Sequence, residues 1–358
     1  MAGKTANVLS AMLLMAAGGL ITHYLPVLTQ AANTGIRPAS LTQAPELYLS
    51  SGFGEEYAAE TLPETGELTM PEAAIAASAD PGPKPYPLTW DLSGGKVEKM
   101  YYGRYSGTQY FDLFTCGQVR NETSHANAEL YDESLKPPAF TIAGASVPQV
   151  LIMHTHTTEC FEPYERDAYD ASFNYRTTDP ALNICRVGDA IAAQLEAAGI
   201  GVIHDTTIHD YPSYTGSYER SRKTVKAMLE AHPSIKVVLD IHRDAIGGDG
   251  VIKQPTVTIN GKKTAQVMII SGCDDGTMGM PNYMQNFRFA CRLQQQMEGD
   301  YPGLTRPILF DYRKYNQDLT TGSLLIEVGT HGNTLEQVVN AGDLIGSSLA
   351  RTLIDLEE

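Results

Sequence analysis

His154, His156 and Glu159 stand in one short segment, His154-Thr155-His156-Thr157-Thr158-Glu159, directly after the apolar run from Val147 to Met153. Imidazole and carboxylate are common zinc ligands, and a catalytic zinc usually takes three of them while leaving a fourth position for water. Residues two apart on a strand share a face, so both imidazoles can point the same way while Glu159, past the strand end, folds back toward them. Two later apolar runs also close on polar groups: Val237-Val238-Leu239 leads to Asp240, His242, Arg243 and Asp244, and Leu324-Leu325-Ile326 leads to Glu327. His154 or His156, together with Glu159 and His242, would complete a zinc site. Glu327 would be raised in pKa by burial, and could then take a proton from an activated water and return it to a leaving amine. Arg243 could clamp a carboxylate or polarise the carbonyl under attack. The plainer readings are a His242 held by Asp240 or Asp244, a Glu327 ion-paired with Arg243, and an Arg243 that only fixes its loop.

The elements that must position these groups read as α/β. Ile184, Val187, Ile191 and Leu195 recur at helical spacing before Gly199, and a short strand follows at Ile200 to His204. A helix over Tyr218 to Ala231, a strand over Ile235 to Ile241, a strand over Gln266 to Ser271, a helix over Asn286 to Met297, a strand over Leu324 to Val328 and a helix over Thr334 to Leu356 complete the pattern. Strands alternating with helices predict a mostly parallel sheet flanked by helices, with ligands gathering beyond the carboxyl ends of the strands. Residues 89–146, rich in Tyr and Phe and broken by Gly, are expected to form a small β-rich accessory domain ahead of a catalytic domain at 147–358.

The 358-residue chain has a formal charge of -16, which excludes a phosphate-binding surface and attraction to an anionic membrane. Val8 to Leu28 contains no Asp, Glu, Lys or Arg and approaches the roughly 20 residues that span a bilayer. Residues 1–29 are therefore expected to be a membrane anchor or a signal, with the remainder outside the cytoplasm. Pro38 to Pro83 lacks Lys and Arg and scatters Glu among Ala, Pro and Ser, so residues 30–88 are expected to be a disordered acidic linker. Cys116, Cys160, Cys185, Cys273 and Cys291 include no C-x-x-C pair and read as buried or unpaired thiols.

The HTHTTE segment, Arg186-Val187-Gly188-Asp189, Tyr211-Pro212-Ser213-Tyr214-Thr215-Gly216-Ser217-Tyr218, Asp240-Ile241-His242-Arg243-Asp244 and Ile326-Glu327-Val328-Gly329 together resemble the stage II sporulation protein P family of endospore-forming bacteria. The resemblance covers about Val147 to Leu356. It implies a membrane-anchored, zinc-dependent peptidoglycan hydrolase with a fold like that of N-acetylmuramoyl-L-alanine amidases. The enzyme would cut the lactyl amide between glycan and stem peptide, with a further endopeptidase activity on cross-links. It also implies partners, the lytic transglycosylase stage II sporulation protein D and the membrane protein stage II sporulation protein M, during engulfment of the forespore. In the wider amidase family the ligands are a His after the first strand, a Glu at the start of the first helix and a His after a later strand, with a catalytic Glu late in the chain. His242 and Glu327 carry over. This chain has Asn183 at the helix start, so Glu159 is the substitute, and the first ligand is His156 or His154. Tyr214, Tyr218, Arg313, Tyr315 and Asn316 are candidates for gripping sugar and peptide.

Two rival readings use the same residues. A cysteine hydrolase could draw on Cys160 beside His154 or His156. A wall-binding module without catalysis could recruit partners, although it would have no need of His242 and Glu327.

Overall fold

A computed structural model describes residues 90–143 and 147–357. The proposed anchor and the acidic linker lie outside the described residues. Among the described residues, no helix is long and apolar enough to cross a membrane.

The strands that carry the polar clusters sit side by side. In chain order they are β4 (Pro148–Met153), β7 (Val237–Asp244) and β13 (Gly322–Thr330). β7 pairs in parallel with β4 on one side and with β13 on the other. β6 (Gly201–His204) extends this parallel block at the β4 edge. Beyond β13 the sheet continues through β11 (Val267–Gly272), β12 (Ile308–Asp311), β3 (Gln118–Asn121) and β2 (Tyr110–Asp112), giving eight strands in the order β2-β3-β12-β11-β13-β7-β4-β6. β11 runs antiparallel to β13, and β2 antiparallel to β3, so the expected mostly parallel sheet is mixed.

A second sheet joins β1 (Gly95–Met100), β5 (Ala168–Tyr169), β9 (Val251–Ile259) and β10 (Lys262–Ala265), with β8 (Gly247–Gly248) on β9. The segment expected to form an accessory domain supplies strands to both sheets: β1 pairs with β9, and β3 pairs with β12. Of its aromatic residues Tyr102 is buried, whereas Tyr101 and Phe114 stay exposed. The β9–β10 hairpin was not anticipated either, although Asn260 and Gly261 both have positive φ, as a two-residue hairpin turn requires.

Five helices cover the large sheet among the described residues: α1 (Asn127–Ser134), α2 (Cys185–Ala197), α3 (Ser217–Ala231), α4 (Tyr283–Asp300) and α5 (Leu335–Ile354). The two faces of the sheet bury different sets of side chains, because side chains alternate along each strand. Val150, Ile152, Val237, Leu239, Ile241, Leu324 and Ile326 join the main core with Val187 and Ile191 of α2 and Val338 and Ile345 of α5. Leu151, Met153 and Val238 instead pack with Val225 of α3. α2 and α5 approach closely because Gly342 and Gly346 present no side chain; a Cβ at Gly346 would stand 2.8 Å from the Ile191 carbonyl oxygen. A Thr334–Gln337 capping box starts α5.

Candidate active site

Strand register brings the distant polar residues to one level. Met153 is opposite Asp240, and Glu327 is opposite His242. Asp240 and His242 alternate with core-facing Leu239 and Ile241, and Glu327 alternates with core-facing Ile326 and Val328, so all three polar side chains point to the α3 side.

His154 does not join them. It continues the parity of Val150 and Ile152, is fully buried, and contacts the Ile241 carbonyl through Nδ1 (2.9 Å) and His204 Nε2 through Nε2 (2.9 Å). The chain then turns, with the Glu159 N–H donating to the His156 carbonyl at 3.2 Å, and His156 emerges on the other side. The expectation that the two imidazoles share a face fails because β4 ends at Met153, before the alternation can reach residue 156.

His156 is 5.2 Å from His242 between ring centroids, nearly edge-on at 88°. Tyr214 stacks on His156 at 4.4 Å with its hydroxyl 3.0 Å from Nε2, and Ser217 Oγ lies 3.5 Å from Nδ1. Burial, reinforced by the nearby cationic side chains of His242 and Arg176, holds the His156 pKa well below the ordinary histidine range. Glu159 Oε2 accepts from the Arg243 backbone N–H at 3.1 Å and lies 3.9 Å from His242 Nδ1. His242 Nε2 is 2.7 Å from Asp240 Oδ1 but off the N–H direction, so this buried nitrogen lacks a well-directed hydrogen bond. Burial opposes the His242 charge, and the Asp240, Glu159 and Glu327 carboxylates outweigh it, so its pKa is pushed up to about 9. Glu327 is half-buried, with Oε2 enclosed and without a hydrogen-bond partner. Burial first, then the Asp244 carboxylate, raises its pKa to about 8 against the opposing His242 charge.

His156, Glu159, His242 and Glu327 thus converge, whereas Arg243 turns to the other side. Its Nη2 donates to the Tyr175 carbonyl at 2.9 Å, which makes it a loop fastener in this arrangement. Of the proposed gripping residues, Tyr218 lies parallel to His242 at 6.4 Å and Tyr315 lies 5.4 Å from Tyr218. Tyr315 and Asn316 have φ of 43° and 57°, the left-handed region that bulky residues rarely occupy. Asn316 Nδ2 donates to the Tyr218 carbonyl at 3.0 Å, and Arg313 Nη1 donates to the Tyr315 hydroxyl at 2.9 Å.

Sequence reasoning missed Arg176 and Asp210. Arg176 Nη1 donates to the buried Asp210 at 2.7 Å, its Nη2 lies 4.0 Å from Glu159, and its guanidinium covers the Tyr214 ring at 4.6 Å. Asp210 directly precedes the tyrosine-rich Tyr211–Tyr218 segment, but no spacing rule tied Arg176 to it. Asn183 does not enter the cluster; it donates to the Thr177 carbonyl and accepts from the Cys185 N–H.

The cysteine reading meets a physical obstacle. Cys160 is buried, its Sγ contacts the Asn174 carbonyl at 3.8 Å, and burial pushes its pKa up to about 12. A thiol so protonated is a poor nucleophile. All five cysteines are unpaired, as expected.

Two imidazoles and a carboxylate form a donor set that suits zinc, and the enclosed Glu327 Oε2, which has no hydrogen-bond partner, fits a polar partner there. Among the described residues, no three such groups are already closed to metal-binding distance. Tyr214 would have to yield His156 Nε2, or Ser217 its Nδ1, for that ring to coordinate.

The chain is 31% identical to stage II sporulation protein P of Bacillus subtilis (strain 168) over 233 residues, which is 62% of this chain and 55% of that relative. It therefore spans about half the length of the curated relative. Among solved structures, the N-acetylmuramoyl-L-alanine amidase AmiC2 of Nostoc punctiforme matches with a TM-score of 0.34 and 10% identity, over 58% of this chain and 96% of that one. Ami1 from Mycobacterium smegmatis gives 0.35 and 14%, over 60% and 100%. The CwlD amidase from Clostridioides difficile, in complex with the GerS lipoprotein, gives 0.35 and 10%, over 58% and 98%. Likenesses this slight carry no argument. The profile of the stage II sporulation protein P family, by contrast, matches residues 115–350, a stretch that takes in every polar cluster of the site, and the chain belongs to that family.

Proposed function

We propose that the chain is an extracytoplasmic peptidoglycan hydrolase of sporulation that cleaves the N-acetylmuramoyl-L-alanine amide with the help of zinc, with peptide cross-links as a second target. Family membership supports the setting. The observation that carries the chemistry is the register that sets Glu327 beside His242, whose ring lies 5.2 Å from that of His156 between centroids and whose Nδ1 lies 3.9 Å from Glu159 Oε2. His156, His242 and Glu159 are the residues that would hold the metal. When bound, zinc supplies Lewis acidity toward water and the scissile carbonyl. Glu327, with its raised pKa, accepts a proton at the enclosed Oε2 and passes it to the departing amine. Tyr218 and Tyr315 offer apolar faces beside the cluster for the sugar–peptide junction. Asp240 and Arg176 brace His242 and Glu159 from behind. Membrane attachment through residues 1–29, and action beside stage II sporulation proteins D and M, belong to this same proposal.

The test is the zinc content of the purified full chain and the masses of the products it releases from isolated sacculi. The reading predicts one zinc per chain and free stem peptides bearing an N-terminal L-alanine. Intact lactyl amides in all products, or activity undiminished by a chelator, would overturn it.

A further inference from the structure

The chain between β12 and β13 places two adjacent residues, Tyr315 and Asn316, in the left-handed backbone region, with φ of 43° and 57°. Asn visits that region singly, but a tyrosine beside it is uncommon and persists only where its surroundings over-determine it. Two sets of contacts do so here. Toward the large sheet, the buried Gln317 continues the pairing of β11 with its side chain: Nε2 donates to the Ile270 carbonyl at 3.0 Å, and Oε1 accepts from the Gly272 N–H at 2.9 Å. The Gln317 carbonyl also accepts from Asn286 of α4 at 2.8 Å. Toward α3, Asn316 Nδ2 donates to Ser221 Oγ at 3.1 Å as well as to the Tyr218 carbonyl. Asp318 accepts both arms of Arg222, Nη1 to Oδ1 at 2.7 Å and Nη2 to Oδ2 at 2.6 Å, and Arg222 Nη1 further reaches Asn316 Oδ1 at 3.3 Å.

A forked contact between guanidinium and carboxylate fixes orientation as well as distance. With side chains 28% and 11% exposed, this pair is screened less than one on the open surface. Arg222 and Asp318 take no part in the chemistry above; what they fasten is the turn that presents Tyr315. Its ring is tilted by 31° against Tyr218, which lies within 9° of parallel to His242. Both tyrosines are partly exposed, so the row of three rings runs from a candidate ligand out to the fastened loop. Arg313, donating to the Tyr315 hydroxyl, holds the far end of that ring.

We propose that Arg222, Asp318 and Asn316 are positioning residues that fasten Tyr315 against Tyr218 as a fixed wall beside His242, and so set how tightly the sugar–peptide junction binds. The identity of that substrate rests on the peptidoglycan reading above; the fastening does not. A wall held in place before substrate arrives spares the binding step the entropy of ordering the loop.

The experiment compares the full chain with Arg222→Met, Arg222→Lys, Tyr315→Ala and the double variant Arg222→Met/Tyr315→Ala. KM and kcat are taken from the release of N-terminal L-alanine from soluble glycan–peptide fragments of isolated sacculi. Binding of the same fragments is titrated with each change placed in the Glu327→Gln background, and zinc content and melting temperature are recorded throughout. Arg222→Met and Tyr315→Ala should each raise KM and weaken binding by about 3–10-fold, the worth of one aromatic contact, with kcat within about twofold of wild type. Arg222→Lys, which keeps the charge but not the fork, should lose less; it supplies the same comparison if Arg222→Met does not fold. Adding Arg222→Met to Tyr315→Ala should change KM no further, because the arginine acts through that ring. Effects that multiply in the double variant overturn the proposal, as do KM and binding unchanged in folded Arg222→Met. So does a fall in kcat that tracks zinc content or melting temperature while KM and binding hold, the mark of a merely structural ion pair. If the wild type releases no N-terminal L-alanine, the amidase reading fails and fragment binding decides: binding equal in wild type and variants, or absent from the wild type, overturns the proposal.

Discussion

Glu327 is placed where its charge is costly to the fold, and that cost can be measured apart from catalysis. Its pKa stands at about 8 against 4.5 for an ordinary glutamate, mainly through burial. A group whose folded pKa is raised binds its proton more tightly in the folded state, so the fold loses stability as pH rises from 4.5 to about 8 and levels off above that. At about 1.4 kcal/mol per pKa unit, with screening allowed for a half-buried side chain, the penalty is roughly 2–4 kcal/mol. Glu327→Gln abolishes the charge. In chelator, where no dication offsets the carboxylate, the melting temperature of the variant should gain on the wild type by about 5–10 °C between pH 5 and pH 9. The same variant should retain zinc while amide cleavage falls by about 10²–10⁴-fold, which is the usual contribution of a general acid–base group. A melting difference that stays constant from pH 5 to pH 9 would refute the buried-charge reasoning. Cleavage within about tenfold of wild type would refute the role of Glu327 as the proton carrier.

Asp240→Asn should destabilise the metal-free protein by about 3 kcal/mol at pH 6 and by less above pH 9. The reason is that His242, raised to about 9, contributes its pairing energy fully below its unfolded pKa and loses it as pH passes through the folded one; unfolding in urea at several pH values gives the comparison. Cys160→Ser should leave amide cleavage unchanged, and iodoacetamide should leave Cys160 unmodified in the native chain, since its thiol is buried and pushed up to about 12. Mass spectrometry after alkylation reads the second result. Thr334→Ala removes the capping box of α5 and should cost about 1 kcal/mol, or roughly 2–4 °C in a thermal melt, with no effect on zinc content.

The helices and the strands around the site were legible because their periodicities are strong. The helix expected from Ile184, Val187, Ile191 and Leu195 is α2, and the run Leu324 to Val328 lies within β13. The eight-stranded order was not legible. The antiparallel β11 between β13 and β12 depends on which edge a strand joins, and strand composition does not encode this. Nor was the reach of residues 95–121 into two sheets, since β1 finds its partner β9 about 150 residues later and the intervening turns say nothing of it.

What the sequence determined by itself is the chemistry on offer. Imidazoles and carboxylates that follow directly on runs such as Val237 to Leu239 must end up at the mouth of a buried sheet, because the apolar residues cannot remain in water. Tertiary structure decided which of those groups meet. The parity of each strand sends His242 and Glu327 to one face and Arg243 to the other, and the turn after Met153 parts His156 from His154. Side-chain alternation is local, but the register between β7 and β13, and the point at which β4 stops, are set only when the whole sheet packs between its helices.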